Sequence, residues 1–544
     1  MSRTAHRGSE WLAGLLGAAL CLAAAHAEEG RAALMRAHRG GTLRLLASSA
    51  AGTLDPQVNR TAQFWQVFGL AYDGLVAFRK VAGPAGRAVV ADLADRVPEP
   101  EEGGLVWRFR LRPGVRFWDG RPVRPSDAAA SLRRAFTVPG GSGGAFYGAI
   151  LGAEACLAAP RACALAGVEA DDDAGTVTIR LARPDPEFLV KLALPSASVV
   201  PADAPPGDAG LTPLPGTGPY QIAEYDPASR MRLIRNPSFQ EWSAAAQPDG
   251  FPDEILYEFG LEDEAEVTQV ENGQSDWLFD APPMDRLAEL GTRYAAQVHV
   301  NPADAIWYAP MNTRLPPFSD ARARRAVNLA VDRAAAVKLF GGRHLAEPLC
   351  QALPPGLPGH EPYCPYAPPD LDAARRLVAE SGTAGSRVTL VIDDSAVQRA
   401  LGTYLQSVLR DLGYDARLRT LSGNIQFTYI QNSANRVQIS LTSWFADYPA
   451  ASDFLPLLFG CAAFQPGSDA STNISGFCDP ALDAAMAAAG ADPAAWARVD
   501  RAVTDQAPAA VLLAPRYVDL VSARVGHFVY HEAFHWLMSQ AWVR

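Results

Sequence analysis

No C-x-x-C pair occurs among the seven cysteines of this 544-residue chain, so the ligand spacing of zinc ribbons and the redox pair of thioredoxin-like sites are both missing. Basic charge is not in excess either. Lys and Arg total 48 against 59 Asp and Glu, a net charge of -11, and phosphate backbones are held by the opposite balance. Nucleic acid is thereby excluded as a partner. The acidic residues are dispersed along the chain, so the charge speaks for solubility rather than for one ligand. A long apolar run is also lacking. The best one, Leu12 to Ala25, is too short and too alanine-rich for a membrane span.

That short run reads differently in its setting. Arg3 and Arg7 precede it, and Ala25-His26-Ala27 followed by Glu28-Glu29 closes it. A basic start, an apolar middle and an A-x-A end are the marks of a secretory signal. The expectation is an exported protein, periplasmic or secreted, cleaved near Ala27 and beginning near Glu28. Leu20 stands before Cys21 where a lipidation signal wants a small residue, so no lipid anchor is expected. Removing Cys21 leaves an even set: Cys156, Cys163, Cys350, Cys364, Cys461 and Cys478. In an exported chain an even count reads as disulfides. Spacing alone does not fix connectivity; the neighbour pairing 156–163, 350–364 and 461–478 is the arrangement expected.

The body of the chain is 49% hydrophobic and 20% charged, a globular balance, and its length asks for two to four core-bearing units. Trp107 to Leu111 alternates strictly and reads as a strand. Ser126 is placed to cap a helix through Phe136. Pro219 to Asn236 reads as a hairpin turning at Asp226-Pro227. Ser319 is placed to cap one helix in which Val327, Ala330, Val331, Ala334 and Val337 share a face. Asp370 caps a helix that Gly382 stops, and Val397 to Leu412 is a further helix. The order is mixed α/β without a simple βαβ repeat.

One stretch concentrates chemistry. Ile439 to Phe454 begins as an alternating strand and then sets Trp444, Phe445 and Tyr448 around a single carboxylate, Asp447, before Pro449 ends the strand. Apolar walls about one charge suit a small-molecule pocket; the same residues would also serve a strand end with core aromatics and a turn Asp. Two other motifs carry less. His531-Glu532-Ala-Phe-His535 fits H-E-x-x-H, but that zinc motif needs a helix to bring both imidazoles onto one face, and Phe528-Val529-Tyr530 favours a strand. With His527 as a third imidazole it would make an exported zinc hydrolase, the reading of a different class. Gly140-Gly-Ser142-Gly-Gly144 fits G-x-S-x-G yet follows a helix, where a nucleophile elbow follows a strand.

Several segments together resemble the large extracytoplasmic solute-binding proteins of peptide-type ABC importers (family 5). They are Leu111-Arg-Pro-Gly-Val-Arg-Phe-Trp-Asp-Gly120 running on to Ser131, Gly216-Thr-Gly-Pro-Tyr220 with Arg235-Asn-Pro237, and Met311-Asn312-Thr313 through Asp332-Arg333. Ala373-Arg-Arg-Leu with Gly382 follows, and then Trp444 to Pro449. They lie in family order across roughly 41 to 544. The resemblance implies an α/β fold of two lobes, periplasmic-binding-protein-like (class II, Venus-flytrap), with an extra inserted subdomain. Lobe I would be 28–72 with 196–302 and 511–544, the insert 73–195, and lobe II 303–510. It implies a binding protein with no catalytic residue, cofactor or metal, monomeric, delivering a peptide or other small solute to the membrane subunits of an ABC permease. Asp447 matches the carboxylate that receives a peptide's α-amino group, with Trp444, Phe445 and Tyr448 as pocket walls. Thr61, Ala62 and Gln63 match a stretch that pairs its backbone with an extended ligand, and Phe146 and Tyr147 an aromatic of the insert. Gly216 and Gly218 would be structural. Nickel, metal-chelate, heme or oligosaccharide binding occurs on the same fold. One position departs from the pattern: oligopeptide binders carry a basic residue shortly before the tryptophan, and Leu441 stands here. The pattern keeps a reader for an amine and lacks, at that position, one for a carboxylate.

Overall fold

The computed structural model describes residues 30–50, 52–283 and 285–544, so the signal sequence read at 1–27, with Cys21, lies outside them. The first strand, Thr42–Ala47, shows why this end of the chain becomes sheet. Leu43 and Leu45 enter the main core, while Leu46 enters a smaller cluster with Val267 and Val270. A strand apolar on both sides belongs inside a sheet. It pairs in parallel with Glu254–Phe259 on one edge and Trp277–Leu278 on the other. The expected hairpin, Tyr220–Asp226 and Arg230–Arg235, completes a mixed five-stranded sheet. A β-carbon at Gly216 or Gly218 would collide with the carbonyl oxygens of Ala71 and Leu70. Those glycines thus let the chain pass against the helix Ala62–Ala71.

A three-stranded antiparallel sheet, Val106–Arg110, Thr176–Arg180 and Val168–Asp171, sits between the first strand and the hairpin in sequence. Its helix, Pro125–Thr137, starts earlier than expected. Arg124 is the N-cap, and Asp127 reaches back to accept from its amide at 2.8 Å. Ser126 is inside the helix and bonds Asp172 instead. This unit and the five-stranded sheet share one continuous core.

The two lobes share a sheet ordered Val298–Pro302, Ala509–Leu520, Ala305–Pro310, Thr442–Phe445, with Ala346–Pro348 also beside the long strand, and the second lobe is built on its later strands. A separate parallel sheet, Asp415–Leu421, Arg387–Asp393 and Ile439–Ser440, packs under the helix Ala396–Asp411. There Leu401, Leu405, Val408 and Leu409 form the buried face. The single helix expected after Ser319 is two, Ala321–Ala330 and Arg333–Phe340. Asp320 rather than Ser319 caps the first, and Asp332 accepts from the amides of Ala334 and Ala335 to cap the second. Val331 is extended between them. The apolar period runs on across the break because both helices face one core. Asp370 and Gly382 bound their helix as expected.

The long strand Ala509–Leu520 crosses between the lobes, its first half in the second-lobe sheet and its last residues beside Trp277. All three expected cysteine pairs are disulfides, 156–163, 350–364 and 461–478, with Cα separations of 4.3, 5.2 and 4.5 Å. Each is local in sequence. Among the described residues no helix is long and apolar enough to cross a membrane.

One buried group gives this lobe a pH signature. Asp500, fully buried, accepts from Gln351 Nε2 at 2.7 Å and from the amides of Ala352 and Leu353. Burial pushes its carboxyl up to about 7. The folded pKa lies above the unfolded one, so the folded state holds a proton that the unfolded state releases. This group's contribution is complete below about pH 4 and is lost as pH rises to about 7, at up to about 1.4 kcal/mol per pH unit. Asp500→Asn should flatten the fall of melting temperature with pH over that window; an unchanged slope would refute the assignment.

Candidate functional site

A cavity of about 480 Å3 opens between the lobes. The first lobe gives it Ala62 and Phe279, the second Phe340 and Phe445, and the crossing strand Arg516 and Tyr517. Phe445 is 46% exposed, unusual for so large an apolar side chain, and its ring lies 6.3 Å from that of Tyr517. Tyr517 stacks on His535 at 4.2 Å. His535 Nε2 lies 2.7 Å from Asp519 Oδ1, and Asp519 also accepts from Trp277 Nε1 and Asn301 Nδ2. The aromatic floor is therefore held by a satisfied polar network behind it. A second cavity, about 560 Å3, lies under the Cys350–Cys364 loop, but one lobe alone lines it. Closure of two lobes on a ligand requires a site that both touch, so the interlobe cavity is the candidate.

Phe445 ends the strand Thr442–Phe445. This strand is the last of its sheet, paired along one edge with Ala305–Pro310 and, among the described residues, carrying no strand on the other. A free edge presents a row of backbone donors and acceptors. Two residues on, Asp447 is half-buried. Among the described residues no donor reaches its carboxylate; its amide donates to Asp453 Oδ2 at 2.8 Å. Burial raises the Asp447 carboxyl, and the charge of Arg60 opposes that rise. Asp453 is fully buried beneath it, receives Trp444 Nε1 on its carbonyl at 2.9 Å, and keeps Oδ1 without a partner among the described residues. Burial, and then the charge of Asp447, push the Asp453 carboxyl well up. With Asp453 held toward its neutral form, Asp447 is the carboxylate of this loop that an incoming cation would meet.

The structure brings Ala62 and Phe445 together at the cavity and sets Asp447 just beyond. Other expected residues go elsewhere. Trp444 packs on a second-lobe core cluster with its indole N–H spent on Asp453. Tyr448 is buried against Phe146, ring centres 6.4 Å apart, with Lys191 5.5 Å over its face, so this pair joins the insert to the second lobe. Tyr147 is fully buried and donates to the carbonyl of Lys191. Thr61, Ala62 and Gln63 cannot offer an extended strand: Thr61 is the N-cap and the other two open the helix Ala62–Ala71, with Gln63 buried and bonded to Ser49. The strand Thr442–Phe445 is extended where they are not. Sequence reasoning missed Phe279, Arg516, Tyr517 and Asp453. The last stood within the stretch singled out, and its only signal was a carboxylate six residues past Asp447.

His531 and His535 face each other across a short antiparallel pair, Tyr530–His531 with His535–Trp536, so the helix that a zinc motif needs is replaced by a hairpin. His531 bonds the carbonyl of Arg79 and His535 bonds Asp519. Ser142 is buried with its hydroxyl on the carbonyl of Gln57.

Comparison with known proteins agrees with this geometry. The model of the bacterial extracellular solute-binding proteins, family 5, middle region, matches residues 88–466. The periplasmic oligopeptide-binding protein OppA of Escherichia coli K12 is 24% identical over 413 residues, 70% of each chain. Di/tripeptide-binding protein 2 of Pseudomonas aeruginosa is 24% identical over 433 residues, 76% of this chain and 77% of its own. Among solved structures, clavulanic acid biosynthesis oligopeptide binding protein 2 superposes with a TM-score of 0.85 at 25% identity, covering 93% of this chain and 96% of its own. The periplasmic binding protein DppA of Helicobacter pylori, solved with the peptide STSA, gives 0.73 at 18% identity over 93% and 98%. With a family model spanning well over half its length and a two-lobed fold closing on one cavity, this chain belongs to family 5 of the bacterial extracellular solute-binding proteins.

Proposed function

We propose that the chain captures a peptide outside the cytoplasmic membrane, without catalysis, and delivers it as a monomer to the membrane subunits of an ABC importer. The observation that carries this is Asp447: a half-buried carboxylate that no donor reaches among the described residues, two residues past Phe445 of the interlobe cavity and its strand edge. A peptide's ammonium meets the first and its backbone the second, as in other strand-addition sites. The relatives named for oligopeptides and di/tripeptides support the reading. We place the first lobe at 28–72, 196–302 and 511–544, the insert at 73–195 and the second lobe at 303–510. The sheets support this division, since the long strand Ala509–Leu520 pairs with Val298–Pro302 on one side of it and with Ala305–Pro310 and Ala346–Pro348 on the other.

The test is a melting-temperature screen over peptides, sugars and metal chelates, because a ligand of the native state raises the midpoint. Peptides should give the shifts. Asp447→Asn should weaken the best of them by roughly tenfold to a hundredfold, about 1.4–2.8 kcal/mol, as expected for one partner of a desolvated charge pair. If the variant responds to every peptide as wild type does, the amine anchor is wrong.

A further inference from the structure

We propose that the second cavity, under the Cys350–Cys364 loop, is a binding site in its own right for a small organic carboxylate with an apolar body, held by Arg333. The site is separate from the interlobe cleft, because one lobe alone lines it. Arg333 opens the helix Arg333–Phe340 and lines this cavity of about 560 Å3. It is 6% exposed. Its Nε donates to the carbonyls of Leu349 at 3.0 Å and Val511 at 2.8 Å. Nη1 donates to the carbonyl of Asn328 at 3.2 Å, and Nη2 to Asn328 Oδ1 at 2.9 Å. Every one of these acceptors is neutral, and among the described residues no carboxylate pairs with the guanidinium. Burial lowers it to about 10, with Tyr366 and Tyr404 opposing the fall. A buried cation without a counter-charge is costly. A guanidinium has five N–H groups, so Nη1 and Nη2 each keep one beyond the bonds named. Such a planar fork is matched to a carboxylate.

The rest of the lining supplies the apolar part: Val331, Pro348, Pro355, Pro362, Tyr363 and Tyr366 wall the cavity. Its roof is stiff. Seven prolines stand from Pro354 to Pro369, and the Cys350–Cys364 bridge closes the loop. The Tyr363 amide donates to Gln351 Oε1 at 2.7 Å and its hydroxyl to Asp505 Oδ1 at 2.7 Å. The Tyr366 hydroxyl donates to the carbonyl of Thr504 at 2.8 Å. Both hydroxyls are thus spent on the helix Pro493–Gln506, which leaves the rings for contact. A loop so pinned keeps the space open before a ligand arrives, as small-molecule sites of roughly 300–1,000 Å3 do. The two carboxylates of the lining are committed elsewhere. Asp332 caps the helix through the amides of Ala334 and Ala335, and Glu347 faces Arg516. Because a single lobe builds the whole site, occupancy needs no closure of the jaws.

The experiment is calorimetric titration of wild type, Arg333→Met, Arg333→Lys and Ala367→Trp with phenylacetate, indole-3-acetate and octanoate, each against its primary amide, and with inorganic phosphate. At least one carboxylate should bind wild type, about tenfold or more tightly than its amide and than phosphate. Arg333→Met should bring the acid-to-amide ratio to about one, and Arg333→Lys should restore part of it. A merely structural Arg333 would lower the melting temperature and leave the ratio as it is. Ala367 is an exposed lining residue that takes no part in the bonds of Arg333. Ala367→Trp should therefore block acid and amide alike at an unchanged melting temperature, and it decides the matter where Arg333→Met fails to fold. The proposal is overturned if no carboxylate binds wild type, or if amide or phosphate binds as tightly as the acid. It is equally overturned if the acid preference survives Arg333→Met or binding survives Ala367→Trp. None of these outcomes depends on whether peptides bind in the cleft.

Discussion

Asp55→Ala is expected to lower the melting temperature by roughly 6–20 °C, the equivalent of about 3–5 kcal/mol in a unit of this size. Asp55 is fully buried and takes both arms of the Arg134 guanidinium, Nη1 to Oδ1 at 2.9 Å and Nη2 to Oδ2 at 2.6 Å. It also accepts the amides of Gln57 and Ala209. Arg134 continues to the carbonyls of Pro205 and Gly207. One carboxylate thus ties the loop before the helix Ala62–Ala71 to the helix of the insert and to the proline-rich segment leading back to the hairpin. Its loss leaves a buried cation unpaired, which costs more than the pair contributes when intact. A double replacement, Asp55→Leu with Arg134→Met, should therefore recover much of the loss. A single variant melting within a degree of wild type would show that water or rearrangement compensates. Because Arg60 and Ala62 follow in the same segment, peptide affinity should fall with stability.

Arg87→Ala should weaken ligand binding by about tenfold to a hundredfold, 1.4–2.8 kcal/mol, without touching the cavity. Arg87, at the end of a short turn in the insert, bonds Glu532 of the C-terminal hairpin, the carbonyl of Gly356 in the second lobe, and Asp304 at 3.3 Å where the chain crosses. It is 13% exposed. Its arms to Gly356 and Asp304 exist only when the lobes are together, so removing them shifts the population toward open forms and reduces apparent affinity by the same factor. Small-angle scattering of the unliganded variant should show a larger radius of gyration. An unchanged radius and affinity would mean that the apolar contacts, Phe146 on Tyr448 among them, suffice for closure. The pH dependence is a second readout. Burial pushes Asp304 up to about 6, opposed by Arg87. The folded pKa is raised, so this group's contribution is complete below about pH 4 and is lost as pH rises through 6. Without Arg87 the opposing charge is gone, and the loss should extend to higher pH.

Local rules carried the sequence reading where local physics decides. The alternation of Trp107 to Leu111, the Asp370 cap with its Gly382 stop, and the helix bearing Leu401, Leu405 and Val408 each answer to neighbours within a few residues. The ordered family motifs then supplied the two-lobed architecture. The failures share a cause. A side-chain cap at Asp332 breaks a helix whose apolar period continues, because one core receives both pieces. Tyr147 matched a ligand-site aromatic of the insert and is core. Arg516 and Tyr517 gave no signal, because Val511 to Pro515 before them is buried on both sides and has no alternation to read. Arg87 and Glu532 are 445 positions apart, and only the folded chain makes them partners.

The three disulfides span 7, 14 and 17 positions, and no other cysteine lies inside any of the loops that they close. A chain emerging amino end first from a secretion channel would thus present each cysteine with its proper mate next in line. Pairing the six cysteines beyond Cys21 in order of appearance gives the native set without reshuffling. The first lobe, by contrast, must wait for its last strands. In a compartment that oxidises thiols as they arrive, covalent closure of these loops can run ahead of the long-range assembly without trapping it, and no bridge afterwards resists the opening of the jaws.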